Sequence, residues 1–424
     1  MLQLSYINTN TEKVINGLNK KYFPNAEETV QKVLEFDNKR KKTQADLDSV
    51  LNELNTYSKS IGMLLKDGKK DEAESAKAKT KSLKEESKKL SEILTLCQDD
   101  LEKFLYLLPN IPHEDVPSGK TSEDNKIVFE YGEIPSLPEG SLPHWELIEK
   151  YDIIDFELGN KITGAGFPVY KGKGAQLQRA LINFFLNEAQ EAGYLEIQPP
   201  VLINAESGKA TGQLPDKEGQ MYQLIDEDYY LIPTAEVPIT NIFRDRILKE
   251  ADLPVKCSGY TPCFRREAGS WGADVRGLNR LHQFDKVEVV QIQKAENSYK
   301  TLSEMCEYVK GILIKLNLPF RMLQLCGGDL GFTSAMTYDM EVFSAAQSKW
   351  LEVSSISNFE TYQANRLKLR YKDSKNKNIL LHTLNGSALA LPRIVAAILE
   401  NNQTDDGIYI PEVLRSYTGF DIIN

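Results

Sequence analysis

Alternating steps of four and three separate the apolar and small residues in the first quarter of the chain. On one side of a short break these positions are Leu47, Leu51, Leu54, Ser58, Ile61 and Leu65. On the other side they are Ala76, Thr80, Leu83, Ser87, Leu90, Leu94, Cys97, Leu101, Phe104 and Leu108. This spacing is typical of a coiled-coil seam, and the break, residues 66–70 (KDGKK), supplies a turn. The pattern predicts two helices of about 35 residues, each ~50 Å long, that fold back on each other as an antiparallel arm.

Proline is absent from residues 27–108 and returns directly afterwards. The prolines are Pro109, Pro112, Pro117, Pro135, Pro138 and Pro143, interspersed with Gly119, Gly132 and Gly140. This composition predicts a linker. The tripeptide GKT at residues 119–121 matches the end of a phosphate-binding P-loop, but Glu114 stands where that motif needs its first glycine. No P-loop is therefore predicted.

The rest of the chain mixes helical and strand periodicity. An amphipathic helix is indicated by Leu177, Leu181, Phe184, Phe185 and Ala189, with Gly193 as its stop. Runs rich in Val, Ile, Tyr and Phe cover residues 221–232, 255–264, 281–292 and 349–355. Because turns rather than regular helices separate these runs, we expect an antiparallel sheet with helices packed on it, and no Rossmann nucleotide site. The predicted fold class is α+β, with a coiled-coil arm followed by a sheet domain.

Composition indicates the cellular compartment of the protein but says little about its function. No stretch of 18 apolar residues predicts a membrane span, and the first residues lack the pattern of a secretory signal. The five cysteines are scattered without a C-x-x-C motif, and the four histidines lack metal-ligand spacing. We therefore expect a cytoplasmic location and no structural zinc.

The predicted arm carries many lysines although the chain has a net charge of −10. They lie at residues 39–42 (KRKK) on the first helix and at Lys77, Lys79, Lys81, Lys84, Lys88 and Lys89 on the second. Charge alone favours an ordinary solvated exterior, but the same residues could form a stripe that meets nucleic-acid phosphates. The negative total does not decide between them, because binding depends on the local field.

Residues 264–267 (FRRE) and 280–284 (RLHQF) contain side chains suited to an adenine nucleotide. On a strand Arg265 and Glu267 share one face, and so do Phe284, Lys286 and Glu288. An arginine can bind a phosphate, a carboxylate can accept from an exocyclic amine, and an aromatic ring can stack on a base. An Arg-x-Glu tripeptide alone is common, however, and a surface ion pair explains it equally well.

Six blocks in order resemble the class II aminoacyl-tRNA synthetases, and in particular the seryl-tRNA synthetase family. Three are similar to the class II motifs: residues 193–202 (GYLEIQPPVL), 264–284 and 385–393 (NGSALALPR). Three resemble the seryl enzymes: residues 233–238 (PTAEVP), 282–288 (HQFDKVE) and 351–358 (LEVSSISN). That family also carries an N-terminal coiled-coil arm, so the resemblance spans the whole chain. It implies activation of L-serine with ATP and transfer to tRNA-Ser, and also to tRNA-Sec where that tRNA exists.

The resemblance implies roles for the residues that match the family's ATP site. Arg265 would hold the ATP α-phosphate, Arg393 would clamp the γ-phosphate end, and Phe284 and Arg393 would sandwich the adenine. Glu267 would face the adenine amino group, and Glu352 with a hydroxyl of Ser354 or Ser355 would hold Mg²⁺, a hard cation that prefers oxygen ligands. The remaining implied ATP-site residues are Arg266, Leu281 and Val353.

Thr234, Ala235, Glu236, Glu288 and Ser387 match the family's serine-binding positions. One carboxylate would meet the serine ammonium and another the hydroxyl, and the sequence does not say which. Ser387 could instead be a plain core hydroxyl.

Two further segments match parts of the family that contact a second subunit or the tRNA. Residues 193–202, with Pro200, match the motif that forms the dimer interface in class II enzymes, which implies a homodimer; an ordinary strand end before two prolines is the alternative. Residues 268–279, with Trp271 and Arg276, match the loop that approaches the tRNA acceptor end.

Three positions depart from the family pattern, which commonly has glycine at Ala388 and Pro392 and tryptophan at Phe343. Pro392 fixes a backbone torsion and removes an N–H, so we expect a local adjustment around Arg393 rather than loss of activity.

The chain is predicted to divide into a tRNA-binding domain (residues 1–110), a linker and entry segment (111–160) and a catalytic domain (161–424). Two other functions are the alternatives: a class II paralogue that activates an amino acid but charges a carrier protein or nothing, and a coiled-coil scaffold that carries a degenerate synthetase domain. The first would shorten the arm or change the serine site, and the second would lose Arg265, Glu267, Glu352 or Arg393; none of these changes has occurred.

Overall fold

A computed structural model describes residues 1–267 and 276–424. Contacts divide this part of the chain into two compact units, residues 1–19 with 23–109, and residues 20–22 with 110–424. The helices are α1 Leu4–Thr9, α2 Thr11–Lys20, α3 Ala26–Lys66, α4 Lys70–Leu107, α5 His144–Lys150, α6 Phe156–Ile162, α7 Gly172–Glu191, α8 Ala205–Thr211, α9 Glu236–Asn241, α10 Ser298–Lys315, α11 Thr361–Arg366, α12 Leu391–Asn401 and α13 Glu412–Thr418. None of the helices in these residues combines the length and the apolar content needed to cross a membrane.

The first unit is dominated by the helical hairpin of α3 and α4, 41 and 38 residues long. On α4 the predicted seam is confirmed, since its buried residues include Ala76, Leu83, Leu94, Cys97 and Leu101. The predicted seam of α3 is right at Leu47, Leu54 and Ile61, which are buried or partly buried, and wrong at Leu51, Ser58 and Leu65, which are exposed.

On α3 the buried residues after Leu47 include Val50, whereas Leu51 and Leu65 are 39% and 49% exposed and Ser58 is also exposed. Leucines or valines stand at adjacent positions, Val50–Leu51 and Leu64–Leu65, so two registers fit the sequence. The partner helix, rather than local periodicity, selects the observed register.

The strands of the second unit belong mainly to one large sheet. They are β1 Lys126–Tyr131, β2 Ile154–Asp155, β3 Val169–Tyr170, β4 Leu195–Glu196, β5 Leu202–Asn204, β6 Tyr229–Leu231, β7 Ile247–Lys249, β8 Val255–Phe264, β9 Gln283–Gln293, β10 Phe320–Gln324, β11 Met336–Ser344, β12 Lys349–Asn358, β13 Arg370–Lys372, β14 Asn378–Leu380, β15 His382–Ala390, β16 Gln403–Thr404, β17 Gly407–Tyr409 and β18 Ile422–Ile423.

The large sheet has the order β1-β10-β11-β12-β15-β9-β8-β4. Its neighbours are antiparallel except for β4 and β8, which run parallel. The predicted α+β class, with a long helical hairpin and an antiparallel sheet flanked by helices, is confirmed.

Strand alternation gives the sheet one apolar face and one polar face. On β9, Val287 and Val289 point into the main core, where residues of α7, α10 and α12 cover them. Lys286 and Glu288 therefore point to the opposite face. The functional site is built on this polar face.

Two sequence expectations differ from the structure. The run at residues 221–232 forms only the short β6 and a single bridge between Gln223 and Tyr230, because Asp226 takes a left-handed turn (φ 67°) in its middle. The proline-rich segment contributes an edge strand, β1, which pairs with β10. The strand itself, KIVFEY, contains no proline and lies between Pro117 and Pro135.

Candidate active site

The carboxylate of Glu288 on β9 is the centre of the polar face. The side chain is 1% exposed, and four neighbouring side chains point their donors at it. The Thr234 and Ser387 hydroxyls lie 3.2 and 3.4 Å from Oε2, the Asn385 amide lies 3.1 Å from Oε1, and the Lys286 ammonium lies 2.6 Å from Oε2. We call these five residues the Glu288 cluster.

Strand register explains why these residues meet. Glu288 pairs with Ser387 across β9 and β15, and Asn385 lies two residues before Ser387 on the same face of β15. Lys286 lies two residues before Glu288 on β9. The chain thus brings together the predicted Thr234, Glu288 and Ser387, while Lys286 and Asn385 were not assigned a role. Both were already present in the quoted motifs, and two-residue alternation would have found them.

Glu236 lies beside this cluster at the start of α9. Its backbone N–H donates to the Thr234 hydroxyl at 3.3 Å, and its Oε1 accepts from the Gln363 amide at 2.7 Å. Gln363 is itself oriented by the Thr383 hydroxyl, which donates to its Oε1 at 2.7 Å. Burial raises the pKa of Glu236 to about 7, and the nearby Glu288 adds to the rise. A buried carboxylate whose ionised form is disfavoured is suited to an incoming cation, because the cation stabilises that form.

Arg265 follows β8 directly and continues its polar face. Its guanidinium lies 5.3 Å from the centre of the Phe284 ring. Glu267 has a left-handed backbone (φ 48°), uncommon outside glycine, and its carboxylate forms an ion pair with Arg280. Arg265 and Phe284, two of the predicted ATP-site residues, are therefore in contact, while Glu267 forms its ion pair with Arg280.

Arg393 lies in the first turn of α12 and is fixed by two backbone carbonyls. Its Nε donates to the Asn279 carbonyl at 3.1 Å and its Nη1 donates to the Glu352 carbonyl at 2.6 Å, 3.9 Å from the Glu352 carboxylate. The guanidinium thus lies between Asn279 and strand β12. Pro392 occupies the same first turn, where a missing N–H removes no helical hydrogen bond.

A β-bulge shapes the acidic edge of the site. Met340 pairs with Ser354, but Glu341 pairs with Glu352, so Val353 is an extra residue on β12. On a regular strand Glu352 and Ser355 would point to opposite faces; the extra residue brings them to the same face. Val353 is buried in the core.

Ser354 and Ser355 have different surroundings. The Ser354 hydroxyl is buried and donates to the Ser387 carbonyl at 2.6 Å. Ser355 pairs with Asp339 across β12 and β11, and its hydroxyl hydrogen-bonds to the Asp339 carboxylate. Burial raises the pKa of Asp339 well above its ordinary value, with Glu352 as the next cause, and its Oδ1 has no hydrogen-bond partner among the described residues.

The other predicted site residues lie around this arrangement. Ala235 and Leu281 are buried, Leu281 in the main core, and Arg266 lines a cavity of about 790 Å³ with Lys209, Met221 and Tyr230. Phe343 packs edge-on against Trp350, with ring centres 5.0 Å apart. Trp271 lies outside the described residues. No group of three or more His, Cys, Asp or Glu side chains arranged for a metal ion occurs in residues 1–267 and 276–424.

The arm surface carries its lysines in a definite pattern. Lys77, Lys81, Lys84 and Lys88 follow each other at steps of four, three and four, and all four are exposed on one face of α4. On α3 part of the basic cluster is used internally, because the buried Asp37 pairs with Arg40 at 2.8 Å and Lys41 at 2.6 Å. The α4 stripe is therefore the better candidate for a phosphate-binding surface.

Comparison with known proteins identifies both units. Residues 1–112 match the seryl-tRNA synthetase N-terminal domain, and residues 222–402 match the tRNA synthetase class II core domain (G, H, P, S and T). The serine–tRNA ligase of Salinibacter ruber is 49% identical over 99% of this chain and 98% of its own length. That of Caldicellulosiruptor saccharolyticus is 46% identical over 100% of both chains.

Solved structures agree. The seryl-tRNA synthetase of Pyrococcus horikoshii, complexed with ATP, aligns with a TM-score of 0.93 and 32% identity over 100% of this chain and 99% of its own. The cytoplasmic serine–tRNA ligase of Naegleria fowleri, in complex with AMP, aligns at 0.86 and 27% identity over 99% and 97%. These findings confirm the resemblance drawn from the motifs: the chain belongs to the seryl-tRNA synthetase family, the class II aminoacyl-tRNA synthetases that ligate serine to tRNA.

Proposed function

We propose that the polar face of the main sheet activates serine with ATP, and that the Glu288 cluster is its serine pocket. The convergence of four donors on one buried carboxylate carries this proposal. A pocket of this kind can select a small polar amino acid, because a substrate without the matching hydroxyl would leave buried polar groups without their full set of partners. Glu288→Ala tests the proposal, with pyrophosphate exchange measured against serine and ATP binding measured directly.

Within the pocket we assign the serine ammonium to Glu236 and the serine hydroxyl to the Glu288 cluster. Lys286 already compensates the charge of Glu288 at 2.6 Å, so Glu236 is the carboxylate that lacks a cation of its own. Hydroxyl groups of Thr234 and Ser387 stand beside Glu288 and can exchange hydrogen bonds with a substrate hydroxyl. This assignment selects between the two arrangements that the sequence leaves open.

Serine binding is then expected to depend on the ionisation of Glu236. Because its pKa is raised to about 7, much of the free enzyme carries a neutral Glu236 at pH 6, and binding the ammonium requires loss of that proton. The KM for serine should fall by about fivefold to tenfold as pH rises from 6 to 8. Pyrophosphate exchange at saturating ATP measures this.

The control for this prediction is Glu236→Gln, which keeps the side-chain shape and cannot titrate. It should bind serine weakly at every pH and lose the slope between pH 6 and 8. If the pH dependence of the KM for serine were unchanged in the variant, or absent in the parent enzyme, Glu236 would not be the group whose ionisation controls serine binding.

We propose that ATP lies across the same face, with Arg265 at its α-phosphate and Arg393 at its γ-phosphate end. Phe284 and Arg393 would enclose the adenine, with Glu267 towards its amino group. The 5.3 Å contact between Arg265 and Phe284 supports a common site for phosphate and base. Arg266, Leu281 and Val353 complete the proposed site.

The reaction that follows needs no nucleophile from the protein. The serine carboxylate attacks the α-phosphorus, pyrophosphate leaves, and the product is seryl-adenylate. A hydroxyl of the terminal tRNA ribose then attacks the adenylate carbonyl and releases AMP. The protein contributes alignment of the two substrates and the fixed positive charge of Arg265 and Arg393.

We further propose that Glu352 and Ser355 hold Mg²⁺ through ATP. Two carboxylates, Glu352 and the buried Asp339, face the same edge, and Oδ1 of Asp339, which has no hydrogen-bond partner among the described residues, is an oxygen that a cation could bind. A bound Mg²⁺ would neutralise charge on the ATP phosphates. Ser355 suits this role better than Ser354, whose hydroxyl is already engaged.

Glu352→Gln is expected to raise the Mg²⁺ concentration needed for half-maximal pyrophosphate exchange by about tenfold or more, because one anionic oxygen ligand is lost. Glu341→Gln is the matched control: Glu341 lies on the neighbouring strand but is neutralised by Arg321 at 2.6 Å. Equal shifts for the two variants, or none for Glu352→Gln, would exclude Glu352 as a ligand.

The partners follow from the family and from the surfaces described above. We propose that residues 1–110 form the tRNA-binding domain, which contacts tRNA-Ser through the α4 lysine stripe. Residues 111–160 lead into the catalytic domain, residues 161–424, and the segment around residues 268–279 approaches the tRNA acceptor end. We also propose a homodimer through residues 193–202. Leu195 on the edge strand β4 is 66% exposed, which suits an interface, and sedimentation equilibrium would measure the mass.

A further inference from the structure

A fully buried histidine and glutamate lie outside the residues assigned above. His144 begins α5 and Glu400 lies near the end of α12, and both side chains are 0% exposed. The ring Nδ1 lies 2.7 Å from Glu400 Oε1, which also accepts the His144 backbone N–H at 2.9 Å. The Ser344 hydroxyl and the Gln347 amide complete the set of donors to this carboxylate. We call these four residues the Glu400 network.

The hydrogen bonds define the state of the network. The Leu278 backbone N–H donates to His144 Nε2 at 2.9 Å. Since a backbone N–H can only donate, Nε2 is unprotonated, and the ring proton sits on Nδ1, where it faces Glu400. Burial by itself would raise the pKa of Glu400, but the bonds from His144 and Ser344 outweigh it and hold the pKa below its usual range. The network is therefore a neutral imidazole bound to a carboxylate.

The network fixes the short segment Gly277–Asn279. Leu278 is bound through its N–H to His144, and the Asn279 amide donates to Gln347 Oε1 at 2.8 Å. The Asn279 carbonyl then accepts from Arg393 Nε at 3.1 Å. Two residues thus connect the Glu400 network to the arginine proposed to hold ATP.

Close packing leaves this segment little freedom. Gly277 has a left-handed backbone (φ 65°), and a Cβ at that position would lie 2.3 Å from His144 Nε2. The Arg276 guanidinium lies 4.9 Å from the centre of the Trp145 ring, next to His144 in α5. The chain therefore rests against α5 at Arg276 and Gly277, directly before the Leu278 hydrogen bond.

Helix α12 connects the two ends of this arrangement. Arg393 and Glu400 are seven residues apart and so lie on the same face of the helix. One helix presents Arg393 towards the site and Glu400 towards the buried network, with Gly277–Asn279 between them.

We propose that His144 is a positioning residue for ATP: it holds Leu278 and Asn279 so that the Asn279 carbonyl orients the Arg393 guanidinium. This inference rests on the ATP role proposed for Arg393, and Arg393→Ala is therefore measured beside it. A displacement of about 1 Å at a substrate-binding group can lower a rate about 100-fold, so a residue without substrate contact can have a large effect.

The test uses two substitutions that separate the two ring nitrogens. His144→Asn keeps a donor near Nδ1 for Glu400 but is too short to accept from Leu278. His144→Gln places an oxygen near Nε2 and keeps the Leu278 bond. In pyrophosphate exchange, the Asn variant should raise the KM for ATP about tenfold with the KM for serine within about twofold of the parent, and the Gln variant should recover most of this loss.

His382→Asn provides the matched control, because His382 is also buried in the same unit and bonds through Nδ1 to the Ser298 hydroxyl at 2.8 Å, away from Arg393. It should change neither KM by more than about twofold. Equal rises in both KM values for His144→Asn, or no better result for the Gln variant, would reduce His144 to a packing role. If Arg393→Ala leaves ATP unaffected, the proposed ATP site fails instead; if it impairs ATP use while His144→Asn does not, only the positioning role fails.

A milder substitution keeps the test informative should His144→Asn not fold. Gln347 lies half-buried in the turn between β11 and β12, and Gln347→Met removes its bond to Asn279 while Glu400 retains the donors from His144 and Ser344. The KM for ATP should rise about threefold to fivefold, again with little change for serine. An unchanged KM for ATP in a folded Gln347→Met enzyme would overturn the inference.

Discussion

Replacing residues 27–108 with a short Gly-Ser linker is expected to abolish aminoacylation of tRNA-Ser while serine-dependent pyrophosphate exchange stays within about threefold of the full-length enzyme. The replaced segment contains α3 and α4, whereas every side chain proposed for serine or ATP lies in the unit formed by residues 20–22 and 110–424. Loss of the hairpin therefore removes tRNA contacts without removing a substrate ligand. The charging assay and the exchange assay, run on the same preparation, measure the two effects.

A contrary result is easily recognised. Normal charging by the shortened enzyme would show that tRNA is held elsewhere, and loss of exchange as well would show that the catalytic unit needs the hairpin for folding. Circular dichroism and a thermal melt distinguish the second case.

A finer version of this experiment addresses the α4 stripe alone. Changing Lys77, Lys81, Lys84 and Lys88 to Gln should weaken tRNA binding and make it less dependent on salt, because each lost phosphate contact lowers the salt slope by a little under one. Four exposed lysines elsewhere, Lys368, Lys372, Lys375 and Lys377, supply a matched control with the same change of net charge. Equal losses in the two variants would point to a general charge effect.

Glu288→Ala is expected to lower kcat/KM for serine by about 10³-fold or more, with ATP affinity within about threefold of the parent. The substitution leaves Lys286 as a buried unpaired cation and deprives Thr234, Asn385 and Ser387 of their common acceptor. Buried groups without partners are costly, and here the cost falls where serine binds. Exchange measured against serine, together with direct ATP binding, tests the asymmetry.

The same pocket accounts for the choice of substrate. Alanine lacks the hydroxyl and would leave a buried group unpaired, which can give discrimination of about 10⁴ by the precedent of sites built around one hydroxyl. Threonine keeps the hydroxyl, so it must be excluded by shape.

Two variants guard this prediction against simple misfolding. Glu288→Gln keeps the size of the side chain and should lose less activity than the alanine variant, because it can still accept hydrogen bonds. Glu307→Ala removes the carboxylate partner of the buried Lys310 on α10, away from the site, and should leave both substrates unaffected. Parallel losses of serine and ATP use in Glu288→Ala would argue against a serine pocket.

Periodicity and motifs predicted many of the helices, strands and site residues, because these patterns reflect interactions between residues that are close in the sequence or on one face of an element. The α4 seam follows from helical spacing, and the run at residues 255–264 is the strand β8 in the structure. Pairing of β9 with β15 brings together Glu288 and Ser387, which both match the family's serine-binding positions.

The sequence did not predict those features of the structure that depend on residues from another part of the chain. The α3 register depends on which of two adjacent apolar residues faces α4, and the sequence of α3 contains both. Gln363 is far from Glu236 in sequence, and only packing brings its amide to the carboxylate. The role of His144 is equally hidden, since Leu278 and Glu400 reach it from segments more than a hundred residues away.

Because Val353 is an extra residue, the proposed Mg²⁺ site depends on the number of residues between its ligands as well as on their chemistry. Glu352 and Ser355 face the same side only because β12 has one extra residue between them. They are three residues apart, whereas residues that share a face of a regular strand are two apart. A transplant of this site into another antiparallel scaffold would therefore have to carry the irregularity with it, and copying the side chains alone would aim the carboxylate and the hydroxyl in opposite directions.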